Sequence, residues 1–232
     1  MSKLYLIPAP LGENEPSEVI PQYVLDTACS LKRFVVEELR TARRFLSRYG
    51  LKGHIDELDF TELNEHTSAE EVEAMAALFD GGDVGLITEA GLPAVADPGA
   101  ALVALCHRKG IEVVPLVGPS SLMLALMASG LNGQSFAFRG YLPAKTDERR
   151  AAVKSIEKTS AGMKQTQIFI ETPYRNDSLM ADLVSILNGS TRLCIAADIT
   201  LPSQTIRTLR VDEWKKRPLT IGKRPCVFLI LA

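Results

Sequence analysis

The chain has 232 residues, 46% hydrophobic and 23% charged, which suits one large or two small folded domains rather than a disordered polyelectrolyte. Its formal net charge of −2 excludes a protein that coats nucleic acid through overall basicity, although a local basic face remains open. The longest uncharged apolar runs, Leu122 to Ala128 and Cys226 to Ala232, fall far short of the roughly 20 residues a membrane helix needs. Cys29, Cys106, Cys194 and Cys226 are far apart and form no C-x-x-C pair, so no metal site is expected. Buried thiols in a reducing, cytoplasmic setting are expected instead.

Strand and helix signals alternate along the first half. Leu4-Tyr5-Leu6-Ile7 reads as a buried strand, too short for a signal-peptide core, and Pro16 to about Ala28 reads as a helix. Phe34 to Val36 is a second strand, and Leu39 to Tyr49 a basic helix closed by Gly50. Ile55 to Phe60 fits a third strand. Ser68-Ala69-Glu70-Glu71 is a capping box that opens a helix ending at Gly81-Gly82. A strand from Val84, a helix from Ala100 to near Lys109, and a strand from Ile111 to Leu116 complete this half. Strands separated by helices imply right-handed crossovers and a mostly parallel sheet.

A second unit starts at Gly118-Pro119-Ser120-Ser121 with an apolar helix to Ser129. Strands are expected at Phe136–Phe138, Gln167–Ile170, Leu193–Ala197, Thr205–Leu209 and Cys226–Leu231, with helices over Thr146–Thr159 and Asn176–Leu187. The closely spaced late strands point to a mixed sheet. The expectation is therefore an α/β protein of two α/β domains, 1–117 and 118–232, joined by a tight hinge.

The segment from Leu86 to Gly99, LITEAGLPAVADPG, is the most informative. A short strand enters a loop rich in Gly and Pro with two acids, and an apolar helix follows. In open α/β sheets such loops, at the carboxyl ends of strands, expose backbone N–H groups to ligands, and a nearby acid can accept hydrogen bonds from ribose hydroxyls. An ordinary capped strand-to-helix turn would carry the same residues.

Further motifs accompany this loop: Leu4 to Gly12 with Pro8 and Pro10, Glu37-Glu38-Leu39-Arg40-Thr41-Ala42-Arg43, Gly118-Pro119-Ser120-Ser121, Gly140-Tyr141-Leu142-Pro143 and Glu171-Thr172-Pro173-Tyr174-Arg175. In this order and spacing the chain resembles the tetrapyrrole methylase family of S-adenosylmethionine (SAM) methyltransferases. Within it, the chain looks most like the branch that 2′-O-methylates ribose in small-subunit ribosomal RNA. The resemblance implies a cleft between two α/β domains that holds SAM, and a cytoplasmic homodimer. It assigns cofactor contacts to Pro10, Glu89, Gly91 and Leu92, to Ser121 and Leu122, and, in the C-terminal half, to Thr172, Ala197 and Pro225. Ser121 lies near a helix N-terminus, where free N–H groups favour a carboxylate such as the methionine end of SAM.

The sulfonium already activates the methyl group, so the protein mainly aligns the reactants, and an oxygen acceptor adds the need for one base. Candidates are Glu37, Glu65 and His66; helix capping would equally account for their positions. Arg40, Arg44 and Arg48 share a helix face that could grip phosphates or simply be solvated. Lys215-Lys216-Arg217 and Lys223-Arg224 form a second basic cluster, and Tyr174-Arg175 offers a stacking surface. Departures from the rRNA branch include Glu13 for its usual asparagine, Glu38-Leu39 for aspartate-threonine, and Thr88-Glu89 for serine-aspartate. The chain also stops after the Cys226 strand, where longer relatives continue, which is expected to leave less surface for RNA. Two other readings stand beside the rRNA enzyme: methylation of a tetrapyrrole or other small anionic acceptor, and a SAM-binding module without turnover.

Overall fold

A computed structural model describes residues 2–232, whose strands form two five-stranded sheets. The chain divides into two compact units, the second of them Ser121–Ala232. In the first, β1 (Lys3–Ile7), β2 (Arg33–Val36), β3 (Asp59–Glu62), β4 (Val84–Ile87) and β5 (Glu112–Pro115) are all parallel, in the order β3-β2-β4-β1-β5. The helices are α1 (Pro16–Val19), α2 (Gln22–Ser30), α3 (Leu39–Leu46), α4 (Ala69–Ala74) and α5 (Ala100–Lys109).

Apolar residues on consecutive strand positions bury both faces of the sheet, as a parallel sheet demands. Ile7, Phe34, Val36 and Ile87 meet Val24, Leu25 and Ala28 of α2 and Phe45 and Leu46 of α3 on one face. Leu4, Val35, Val84 and Leu86 meet Val72, Met75 and Phe79 and, from α5, Leu102, Leu105 and Cys106 on the other. The chain therefore leaves β1 toward one face and β4 toward the opposite face. These two strands are neighbours, so their outgoing loops diverge, and this divergence is the switch point where open α/β sheets place ligands.

Local chemistry moves several boundaries. The first expected helix is split, because Pro21 holds Ile20 in an extended conformation (φ −116°, ψ 124°). The basic helix stops at Leu46 and widens into a turn over Ser47–Leu51 that contains Gly50 at φ +129°. Ile55–Glu57 is a helical turn, and β3 starts only at Asp59, where pairing with Arg33 begins. The capping box at Ser68 and Glu71 forms as expected, and Gly110 closes α5 in the left-handed conformation (φ +69°).

The second unit contains β6 (Phe136–Tyr141), β7 (Thr166–Ile170), β8 (Arg192–Ala197), β9 (Thr205–Arg210) and β10 (Cys226–Leu231), in the order β6-β7-β10-β8-β9. β6 and β7 are parallel, and the remaining pairings are antiparallel, so the sheet is mixed. Its helices are α6 (Ser121–Ser129), α7 (Thr146–Met163), α8 (Asn176–Ile186) and α9 (Val211–Trp214), a short helix with no clear sequence signal. Phe169 and Phe228 stack at 5.8 Å inside a core completed by Val153, Leu179, Leu183 and Trp214, whose indole N–H donates to the Leu193 carbonyl at 2.9 Å. Cys106, Cys194 and Cys226 are buried, and burial pushes the Cys106 thiol up to about 11 and that of Cys226 to about 12. No helix among the described residues is long and apolar enough to cross a membrane.

Candidate active site

The loops that leave the carboxyl ends of β1, β2 and β4 converge at the switch point. Val36 and Ile87 are register partners at the ends of β2 and β4, so Glu37 and Thr88, the next residues, are brought side by side. The Thr88 hydroxyl donates to the Asp97 carboxylate and lies 3.4 Å from Glu37 Oε2. Asp97 Oδ1 accepts the Gly99 backbone N–H at 3.0 Å. Ala9 and Gly91 exchange two backbone hydrogen bonds of 2.9 and 3.0 Å, tying the β1 and β4 loops across the divergence.

Glycine is needed at two places here. Gly91 has φ +78°, and a Cβ there would sit 3.3 Å from Leu11 Cδ2 and 3.6 Å from the Pro119 carbonyl oxygen. A Cβ at Gly118 would fall 2.2 Å from Pro8 Cβ, so the β5 loop can lie on the β1 loop only without a side chain. Ala94 and Ala96, also in the β4 loop, sit at φ 63° and 60° despite their methyl groups. Each costs roughly 1–2 kcal/mol, and strain of this kind concentrates at functional loops.

Glu37 and Glu38 are neighbours in sequence with opposite behaviour. Glu38 caps α3: its carboxylate accepts the Arg40 and Thr41 N–H groups at 2.9 and 2.7 Å, and the Thr41 hydroxyl first, then these two bonds, hold its carboxyl below the ordinary value. Glu37 is free of that duty. Desolvation first, then the charges of Asp97 and Glu89, push its pKa up to about 7, against a smaller opposing contribution from the Glu89 N–H. At neutral pH it is divided between acid and carboxylate, the state suited to a general base.

The remaining candidates are placed differently. Glu65 and His66 follow β3 on a turn made by Asn64 and Thr67, and their side chains are 86% and 84% exposed, 3.6 Å from one another. The described contacts do not bring them to Glu37. Arg44 and Arg48 face Glu13 at 3.6 and 3.5 Å, and Arg48 also donates to the Asn14 carbonyl at 2.6 Å. Arg43 pairs with Asp56. Arg40 is exposed, and its guanidinium makes no ion pair among the described residues.

In the second unit, Thr172 follows β7, Ala197 ends β8 and Pro225 precedes β10, so the sheet order brings the three to one end. The Asp198 N–H donates to the Pro225 carbonyl at 3.0 Å. The buried Glu171 carboxylate takes the Thr172 N–H at 2.7 Å and the Arg175 guanidinium at 2.9 and 2.5 Å through Oε1, and leaves Oε2 buried without a partner. Arg175 is thus engaged inside its own loop, while Tyr174 is 80% exposed. Ser121 and Leu122 open α6, the leucine buried.

Asp97 and Thr88 surround Glu37, an arrangement that composition and spacing along the chain do not reveal. The available signal was strand adjacency: residues that follow two paired parallel strands must meet.

A chain with these two sheets and this loop cluster belongs to the tetrapyrrole methylase family; the model of the Tetrapyrrole (Corrin/Porphyrin) Methylases matches residues 19–214. It is a SAM-dependent methyltransferase. It is 33% identical to the ribosomal RNA small subunit methyltransferase I of Vibrio cholerae over 90% of this chain and 69% of that one. It is also 32% identical to the enzyme of the same name from Thermotoga maritima, over 94% and 95% of the two chains. Among solved structures, it superposes on the uroporphyrin-III C-methyltransferase of Thermus thermophilus, complexed with S-adenosylhomocysteine, with a TM-score of 0.59 at 15% identity, covering 99% and 97%.

The residues present fit SAM. Glu37, Glu89 and Asp97 place three carboxylates at one loop cluster, and no lysine or arginine among the described residues pairs with them. Such a site is complementary to a cationic ligand and to ribose hydroxyls.

Proposed function

We propose that this enzyme methylates a ribose 2′-hydroxyl in small-subunit ribosomal RNA, with Glu37 as the general base. The observation that carries the reading is the Glu37 carboxylate at the switch point, held near neutrality by its surroundings and unneeded as a cap. SAM supplies a methyl group already activated on its sulfonium. Glu37 takes the proton of the attacking hydroxyl as the new O–CH₃ bond forms, and later returns it to water. Thr88 keeps Asp97 hydrogen-bonded beside it, so that the second carboxylate raises the basicity of the first.

The names of the two relatives support ribosomal RNA as the acceptor. The cofactor is assigned to Pro10, Glu89, Gly91 and Leu92 in the first unit and to Ser121, Leu122, Thr172, Ala197 and Pro225 in the second. Arg40 and Tyr174 are assigned to RNA, with Arg44 in support, while Arg175 is tied to Glu171 within its own loop. The reading also includes a cytoplasmic homodimer, which sedimentation of the purified chain tests.

The decisive experiment supplies labelled SAM to small ribosomal subunits from a strain lacking this gene. Label mapped to a ribose 2′-oxygen supports the reading. Absence of label from a preparation that binds SAM overturns it and turns attention to small acceptors.

A further inference from the structure

Two loops at the proposed cofactor end of the second sheet hold one aromatic ring and one cation out into solvent. Lys223 Nζ lies 4.9 Å from the centroid of the Tyr174 ring, which is 80% exposed. Lys223 lies over the ring, most of whose surface still faces solvent. Tyr174 is two residues from Thr172, and Lys223 two residues from Pro225, so the pair borders the residues assigned to the methyl donor.

An exposed tyrosine alone needs no explanation. The way its loop is secured does. Glu171, buried, holds Arg175, the residue that follows Tyr174 in the loop. Asn176, fully buried, donates to the carbonyls of Gly222 and Arg224 at 3.1 and 2.8 Å, so it stitches the Tyr174 loop to the Lys223 loop. Asp177 accepts the N–H groups of Ile221 and Gly222 at 2.7 and 3.2 Å. Arg224 donates to the Ile221 carbonyl at 2.8 Å and faces Asp198 at 3.6 Å. The neighbouring charged groups Glu171, Arg175, Asp177, Asp198 and Arg224 are all consumed in bracing, which leaves Tyr174 and Lys223 as the presented pair. A rigid aromatic with an adjacent cation loses little freedom when a partner docks.

We infer that Tyr174 and Lys223 form a composite contact for single-stranded RNA, the exposed ring stacking an unpaired base while the ammonium holds an adjacent phosphate. This rests on the reading of ribosomal RNA as the acceptor. A stacked base is recognised by its π-face, and a phosphate by the point charge of a lysine, so the contact positions the strand without reading its sequence. Arg175, bound to Glu171, braces the loop that carries the ring.

The test is equilibrium binding of the full chain to unmodified small-subunit ribosomal RNA across a salt series, with SAM affinity measured on the same samples. Tyr174→Ala is expected to weaken RNA binding about 5- to 100-fold, and Tyr174→Trp to restore it. Lys223→Ala is expected to weaken binding and make the dependence of log K on log salt shallower by about 0.7. SAM affinity stays unchanged in all three. RNA binding by Tyr174→Ala equal to wild type, or Tyr174→Trp no better than alanine, overturns the contact while the acceptor reading stands. A wild-type chain that ignores this RNA overturns both.

Discussion

Replacing Glu37 by glutamine keeps the shape of the side chain and removes its ability to take a proton. If Glu37 is the base, kcat falls about 100- to 10,000-fold. In the wild type, kcat/KM rises with pH through an inflection near 7, because the carboxylate is the active form; in Glu37→Gln that inflection disappears. Stability carries an independent signature. The gap between the ordinary value of 4.5 and about 7 corresponds to roughly 3 kcal/mol in full. Glu37 is only half-buried, and solvent screening reduces this to about 1 kcal/mol. Since the folded state holds this proton more tightly than the unfolded state, the contribution is fully present below pH 4.5 and is lost as pH rises through 7. Glu37→Gln has no such loss. Urea unfolding of both proteins at pH 5 and pH 8.5 should show the variant gaining about 1 kcal/mol relative to wild type between the two. Titrating groups that do not touch Glu37 cancel in the difference. A constant difference across that range, together with an inflection near 7 that survives in the variant, would refute the placement of Glu37 in a desolvated acidic cluster.

Gly91→Val must force a branched side chain into the left-handed region and against Leu11, so thermal stability and SAM affinity by calorimetry should both fall; no change in either contradicts the geometry of the Ala9–Gly91 bridge. Arg149→Ala removes a buried guanidinium that meets the half-buried Asp182 at 2.8 and 2.5 Å and leaves that carboxylate only Arg150 at 3.7 Å, so it should cost about 2–3 kcal/mol in urea unfolding. A loss below about 1 kcal/mol would mean that Asp182 is readily solvated. Arg40→Ala should weaken RNA binding and spare SAM, and Arg44→Ala should do less because Arg44 already faces Glu13. Equal effects of the two substitutions on RNA would remove the distinction.

The architecture was readable because its signals are local. Apolar runs at Leu4, Phe34 and Val84, the capping box at Ser68 and the glycine stop at Gly110 each act within one element, and the structure keeps them. Where the reading slipped, a neighbour in space decided the matter. β3 begins at Asp59 rather than Ile55 because pairing with β2 selects its start. β6 runs on to Tyr141 because β7 gives it a partner, across an irregularity between Phe138 and Tyr141. The break at Pro21 is the exception, a local rule passed over. The candidate site follows the same division. The β4 loop stood out by composition, whereas the company Glu37 keeps depends on which strands lie together, and nothing within five residues of Glu37 encodes Asp97. The pairing of Arg44 and Arg48 with Glu13 was likewise hidden, since the basic helix and the first loop meet only in the folded unit.

The contrast between Glu37 and Glu38 has a consequence for how this region can vary. The two side chains are chemically identical, and their different tasks are assigned entirely by counting from the end of β2: the first residue past the strand faces the acids, the second closes the helix. An exchange of glutamate for aspartate at the cap alters reach by one methylene and preserves the count. Insertion or deletion of one residue before Leu39 instead moves the wrong carboxylate into each place, and both tasks fail together. The turn between β2 and α3 should therefore accept changes of letter and refuse changes of length.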